Sequence, residues 1–296
     1  MRLLLATDGS EYSLTAAKYL MRLPFGADSE VFILHVLKDY LIPDTIDPAR
    51  DFIKAGKKAA QAMVDEFKWS FADAGVRAHT LVREGDPWRE IIEGAEEVKA
   101  DLIVMGHRGM TGIESFLMGS VASQVLRHGH FSVLVVRELP PSAGPMRILY
   151  CTNGSQASMY ARDMLMGLPF DVRDTEVKVL SVVDMEMTSL PEKYYPDEEI
   201  ALMMAELREH NRKAAETVVS DEASELRSRF LEVSLKVVFG VPEVEILKEI
   251  EEMKADLVVM GSKGIRGIKG VLLGSISLSV ARHADCGILV AREPER

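Results

Sequence analysis

The sequence predicts two tandem α/β domains, each a doubly wound, Rossmann-like sandwich on a five-stranded parallel sheet. Three observations on this 296-residue chain carry the prediction. One stretch is written twice: residues 99–138, beginning KADLIVMGHRGMTGIESFLMGS, return 155 positions later as KADLVVMGSKGIRGIKGVLLGS, with about half of the aligned positions identical. Within each half, short apolar runs alternate with longer helical patterns, the sign of a parallel sheet covered on both faces. The length also suits two cores of about 150 residues each.

The repeat places the boundary. Ile148–Ser155 matches Leu3–Ser10 at an offset of 145, and the offset has grown to 155 by Gly85 and Gly240, so the second half carries about ten extra residues in its middle. The proline-rich stretch 139–145, LPPSAGP, can continue neither helix nor sheet and reads as a linker between domains at 1–138 and 146–296. Strands are expected at Leu3–Thr7, Val31–Leu37, Arg77–Val82, Leu102–Met105 and Ser132–Val136. Their counterparts are Ile148–Thr152, Val177–Val183, Glu232–Val238, Leu257–Met260 and Gly287–Ala291. Ser10 is placed to cap a first helix burying Leu14, Ala17 and Met21, and Ser155 to open its counterpart. Long helices are expected near Pro48–Ala74 and Asp197–Phe230. Asp86-Pro87 should cap a helix burying Trp88, Ile91, Ile92 and Ala95, and Gly119-Ser120 and Gly274-Ser275 should start the last helices, which end near His128 and His283.

Composition excludes several function classes. The net charge of −11 is spread as about −4 and −7 over the two halves, which argues against a nucleic-acid surface. No apolar run approaches the roughly 20 residues of a membrane span. The opening MRLLLATDGS reads as strand and turn and not as a signal peptide, so a cytoplasmic location is expected. Cys151 and Cys286 lie in or beside apolar runs and read as small buried hydrophobes.

The winding of such a sheet reverses between strands 1 and 4, where ligands bind beyond the strand C-termini. Here those ends carry Asp8-Gly9-Ser10 and the loop beginning Gly106-x2-Gly109-x9-Gly119-Ser120, repeated as Gly261-x2-Gly264-x9-Gly274-Ser275. Glycines let a chain leaving a buried strand turn and approach a ligand closely. The unpartnered first amides of the following helix, with its dipole, favour an anion by about 0.3–1 kcal/mol at exposed sites. Arg108 and Lys263 are positioned to add charge, and a phosphate chain fits. The G-K-[S/T] ending of a P-loop is missing, and the glycines follow the fourth strand, whereas a dinucleotide fingerprint follows the first. His128 and His130 lack a third metal ligand nearby, His35 reads as structural, and His107, replaced by Ser262 in the repeat, is assigned no essential role.

In these motifs the chain resembles the universal stress proteins in their tandem form, over nearly its whole length. The resemblance implies an adenine nucleotide alpha hydrolase-like fold and binding of ATP or AMP, with Mg²⁺ as an accompanying ion of the phosphates. By position it implies Asp8, Val36, Met105, Gly106, Gly109, Gly119, Ser120 and Val121 as binding residues in the first half. In the second half it implies Val182, Met260, Gly261, Gly264, Gly274, Ser275 and Ile276, with Asn153 departing from Asp8. It further implies pairing of the terminal strands, within the chain as a pseudo-dimer or between chains as a homodimer. The expected function is that of a nucleotide-responsive stress or signalling module, with no nucleophile–base pair or metal cluster in the crevice and any ATP hydrolysis slow. Two alternatives stay open: an adenylyl-transferring enzyme, against which the S-G-G-x-D-S, HIGH-like and KMSKS-like motifs are missing, and a nucleotide-free scaffold.

Overall fold

The computed structural model describes residues 1–26, 28–38, 47–109, 118–140, 144–184, 198–263 and 273–293. They divide between two units, Met1–Pro140 together with Glu293, and Pro141–Arg292. In the first unit the elements run β1 (Arg2–Ala6), α1 (Glu11–Met21), β2 (Glu30–Leu37), α2 (Asp47–Asp73), β3 (Arg77–Glu84), α3 (Pro87–Glu97), β4 (Leu102–Gly106), α4 (Ser120–His128) and β5 (Ser132–Val136). In the second they run β6 (Met146–Cys151), α5 (Gln156–Gly167), β7 (Thr175–Asp184), α6 (Glu198–Arg227), β8 (Glu232–Gly240), α7 (Pro242–Met253), β9 (Leu257–Gly261), α8 (Ser275–His283) and β10 (Gly287–Ala291).

All strand pairs within each unit are parallel, in the orders β3-β2-β1-β4-β5 and β10-β9-β6-β7-β8. Each unit is therefore doubly wound, as the sequence predicts. The winding reverses between β1 and β4, where Ala6 lies opposite Met105, and between β6 and β9, where Cys151 lies opposite Met260. The central strands are apolar end to end because helices cover both faces: Leu3, Leu4 and Leu5 are fully buried, as are Leu102–Val104. Cys151 and Cys286 are buried free thiols, and burial pushes the Cys151 thiol well above its ordinary pKa.

The first helix corrects one expectation. Leu14 is 40% exposed and Met21 half-buried, while Ser13, Ala16, Ala17 and Leu20 face inward. The reason is a close approach. A Cβ on Gly106 would lie 2.6 Å from the carbonyl carbon of Tyr12, so α1 rides directly on β4 and only small residues fit between them. The second unit repeats this with Gly261 against Ala157, Ser158 and Ala161 facing inward and Met159 exposed. Asp86 holds the extended N-cap conformation of α3, but its side chain makes no capping bond. No helix among the described residues is long and apolar enough to cross a membrane.

Candidate functional site

Where the winding reverses, the chain leaving β1 turns through Thr7-Asp8-Gly9-Ser10 by a set of short polar contacts. The Ser10 amide donates to Asp8 Oδ1 at 3.0 Å and the Gly9 amide to Thr7 Oγ1 at 3.2 Å. Thr7 Oγ1 in turn donates to Ser13 Oγ at 2.9 Å, and the Ser13 amide closes the cap on Ser10 Oγ at 3.3 Å. Gly9 has φ +80°, a conformation that L side chains rarely adopt. The second unit repeats the turn with Thr152, Asn153, Gly154 and Ser155: the Ser155 amide donates to Asn153 Oδ1 at 3.1 Å and the Gly154 amide to Thr152 Oγ1 at 3.2 Å. Asn153 thus keeps the turn, because its carbonyl oxygen replaces one carboxylate oxygen, but it brings no charge.

The second wall is the chain leaving β4. The Gly119 amide donates to the carbonyl of His107 at 2.7 Å, pinning the start of α4 to the end of β4; Gly274 and Ser262 do the same at 2.7 Å. Gly119 and Gly274 are extended N-caps without a side chain to cap the helix. The first helical bonds run from the Ser123 and Leu278 amides to these glycines at 3.0 Å, so the N–H groups of Ser120 and Val121, and of Ser275 and Ile276, have no partner within the helix. This contrasts with α1 and α5, where Ser10 and Ser155 cap the first turn.

The two walls meet. A Cβ on Gly109 would lie 2.5 Å from Asp8 Oδ2, so the absent side chain is what lets the carboxylate stand against the β4 loop. In the second unit Ser155 Oγ donates to the Lys263 carbonyl at 3.4 Å; Gly264 lies outside the described residues. Met105 and Met260 form a buried floor, and Val36 and Val182 sit half-buried near the ends of β2 and β7. Gly106 and Gly261 are buried beneath α1 and α5, where the place of a side chain is taken by helix backbone.

Sequence reasoning missed two parts of this arrangement. The hydroxyl pairs Thr7–Ser13 and Thr152–Ser158 support both turns, and their signal was the T-x-G-S-x2-S pattern repeated at an offset of 145. The other is His107, which is 7% exposed, lies edge-on to the Tyr12 ring with centroids 4.5 Å apart, and has a buried Nδ1 without a hydrogen-bond partner. Burial, then the charges of Arg137 and Arg108, holds its pKa down at about 4, so the ring is neutral. His35 Nδ1 lies 2.8 Å from the Thr7 carbonyl and donates to it, because a carbonyl can only accept. Among the described residues no group of three or more His, Cys, Asp or Glu could hold a metal ion.

Comparison with known proteins agrees with this architecture. The model of the universal stress protein family matches residues 1–137 and again 145–292. The chain belongs to the universal stress protein family. As a tandem universal stress protein it resembles one from Mycolicibacterium smegmatis, 23% identical over 303 residues, which cover 98% of this chain and 96% of the relative. A universal stress protein from Methanocaldococcus jannaschii is 38% identical over 141 residues, 46% of this chain and 82% of that protein. The crystal structure of a universal stress protein from Archaeoglobus fulgidus superposes with TM-score 0.66 at 24% identity, covering 99% of this chain and 97% of the other, and shares the fold.

Proposed function

We propose that this universal stress protein binds adenine nucleotide, ATP or AMP, in the crevice of each unit and serves as a nucleotide-responsive module. The observation that carries the reading is the meeting of Asp8 with Gly109 beside the uncapped start of α4. A carboxylate able to accept from hydroxyl or amino groups stands next to outward N–H donors suited to phosphate oxygen, where a doubly wound sheet opens its crevice. The donor set therefore fits a group with a hydrogen-bonding nucleoside at one end and an anion at the other. In the first unit Asp8, Val36 and Met105 would hold the nucleoside side, and Gly109, Gly119, Ser120 and Val121 the phosphates. In the second, Val182 and Met260 with Gly264, Gly274, Ser275 and Ile276 would do the same. Bound nucleotide would supply the polyphosphate charge and any Mg²⁺ that travels with it. Gly106 and Gly261 contribute by letting α1 and α5 approach, which holds both turns in place.

The first site should bind more tightly than the second, because Asn153 replaces an acceptor-only carboxylate by an amide that also donates. Calorimetric titration with ATP and with AMP of the parent chain, Gly119→Glu and Gly274→Glu tests both statements. A Cβ at either glycine meets backbone at 3.2 Å, and the added carboxylate competes for the helix N-terminus. Two sites are expected in the parent, with the weaker surviving in Gly119→Glu and the tighter in Gly274→Glu. Equal residual affinities would overturn the ranking, and a parent chain that binds neither nucleotide would overturn the function.

A further inference from the structure

The duplication supplies an internal control for the corresponding outer strands β3 and β8. In the first unit β3 is an outer strand, and several of its positions are polar and engaged. Glu84 pairs with Lys57, Thr80 Oγ1 accepts from Gln61 at 3.3 Å, and Arg77 and His79 reach Glu30 at 3.2 and 3.5 Å. Just beyond it, Arg89 lies 3.8 Å from Asp86 and over the Trp88 ring. Charged and paired residues of this kind keep an edge strand from joining another.

In the second unit β8 is an outer strand, and the corresponding positions have turned apolar without becoming buried. Thr80, Glu84, Asp86 and Arg89 are matched by Leu235, Phe239, Val241 and Val244. These are 47%, 36%, 41% and 55% exposed, and Leu231 at the start of the strand is 72% exposed. The strand is nine residues long, and it ends the sheet order of its unit. The carbonyl of Val233 on this strand takes a guanidinium hydrogen bond from Arg227 at 3.1 Å. Acidic residues frame this apolar row: Glu232 on the strand, and Glu243 and Glu245 on the first turn of α7. The one lysine of the strand, Lys236, is tied to Glu249 and Glu252. A second copy of the chain would bring the same acidic frame against itself, whereas a basic partner would neutralise it.

We propose that the β8 edge, with Leu235, Phe239, Val241 and Val244, is a docking surface for an extended segment of a partner protein. In that segment apolar residues alternate with lysine or arginine, and it joins the sheet as an added strand. Main-chain hydrogen bonds to β8 supply part of the affinity, the exposed apolar row receives every second side chain, and the acidic frame selects for positive charge. The proposal is independent of nucleotide binding.

The test uses the full chain and a fluorescent ten-residue peptide alternating valine and lysine, followed by anisotropy. Its controls are a valine–glutamate peptide and the valine–lysine peptide N-methylated at alternate amides. The variant Leu235→Thr/Phe239→Glu/Val241→Asp and, separately, Val244→Arg move these positions toward the polarity of the first unit. Saturable binding to the parent is expected, weaker by about tenfold or more for the methylated and glutamate peptides and for the triple variant, although that variant adds negative charge. Undiminished binding to the triple variant, or equal binding of the methylated peptide, would overturn the proposal; so would a concentration-dependent dimer in sedimentation that either variant abolishes. Because the methylated peptide needs no altered protein, the test survives a variant that fails to fold.

Discussion

Gly106→Ala and Gly109→Ala differ by three positions and should have opposite consequences. At Gly106 a Cβ would sit 2.6 Å from the carbonyl carbon of Tyr12 and 2.7 Å from its oxygen, both backbone atoms at the start of α1. Backbone cannot swing aside, so either the helix lifts from β4 or the strand shifts, and overpacking of this kind costs about 1–3 kcal/mol or more. For a unit of this size about 3 kcal/mol corresponds to a fall in Tm of roughly 6–12 °C. At Gly109 the obstruction is Asp8 Oδ2 at 2.5 Å, the end of a short side chain that can rotate away. The stability lost there is about 1.5 kcal/mol, the low end for a hydrogen bond to a charged group because Asp8 is only half-buried, while the carboxylate leaves its place in the crevice. Thermal unfolding without nucleotide should therefore separate the variants one way and ATP titration the other: Gly106→Ala the less stable of the two, Gly109→Ala the weaker in binding at the first site. A Gly106→Ala chain that melts with the parent would refute the close-packing account. Undiminished affinity in Gly109→Ala would refute the placement of Asp8.

Two further predictions concern buried groups. His107 is held near pKa 4 in the folded chain against 6.5 when unfolded, so as pH falls the unfolded chain takes up the proton first. Stability from this group is complete above about pH 6.5 and is lost on the way down to pH 4, with about 2 kcal/mol gone between pH 7 and pH 5. Urea unfolding at those two pH values should show that loss in the parent and not in His107→Ser; identical pH dependence in both chains would contradict it. In the second unit the buried Glu222 accepts from Tyr150 Oη and Arg162 Nη1, both at 3.1 Å. Glu222→Ala leaves Tyr150 Oη without this acceptor and Arg162 with Asp163 alone, and is expected to cost about 1–3 kcal/mol, read as a lower unfolding temperature for that unit; no change in unfolding temperature would argue against it.

The parallel sheets were legible because central strands such as Leu3–Leu5 and Leu102–Val104 are uninterrupted apolar runs, and the repeat fixed which run answers to which. The crevice was legible for a related reason: topology brings Asp8 to the β4 loop whatever the intervening residues. Helix faces were harder to read. In α1 the set Leu14, Ala17 and Met21 has helical spacing, as does Ser13, Ala16, Ala17 and Leu20. What decides between them is the close seat on Gly106, a distance that no periodicity encodes. Side-chain burial at loops was equally hidden. His107 looks like a loop residue between glycines, but it lies beneath Tyr12 and loses its solvent.

The central claim is that each crevice accepts adenine nucleotide through its uncapped helix start and its opening-strand turn. Crystals grown with ATP test it most directly. Electron density for the phosphates against the amides of Ser120 and Val121, with the nucleoside beside Asp8, is the predicted result. Two clefts vacant at saturating ATP, or filled by the protein's own side chains, would contradict it.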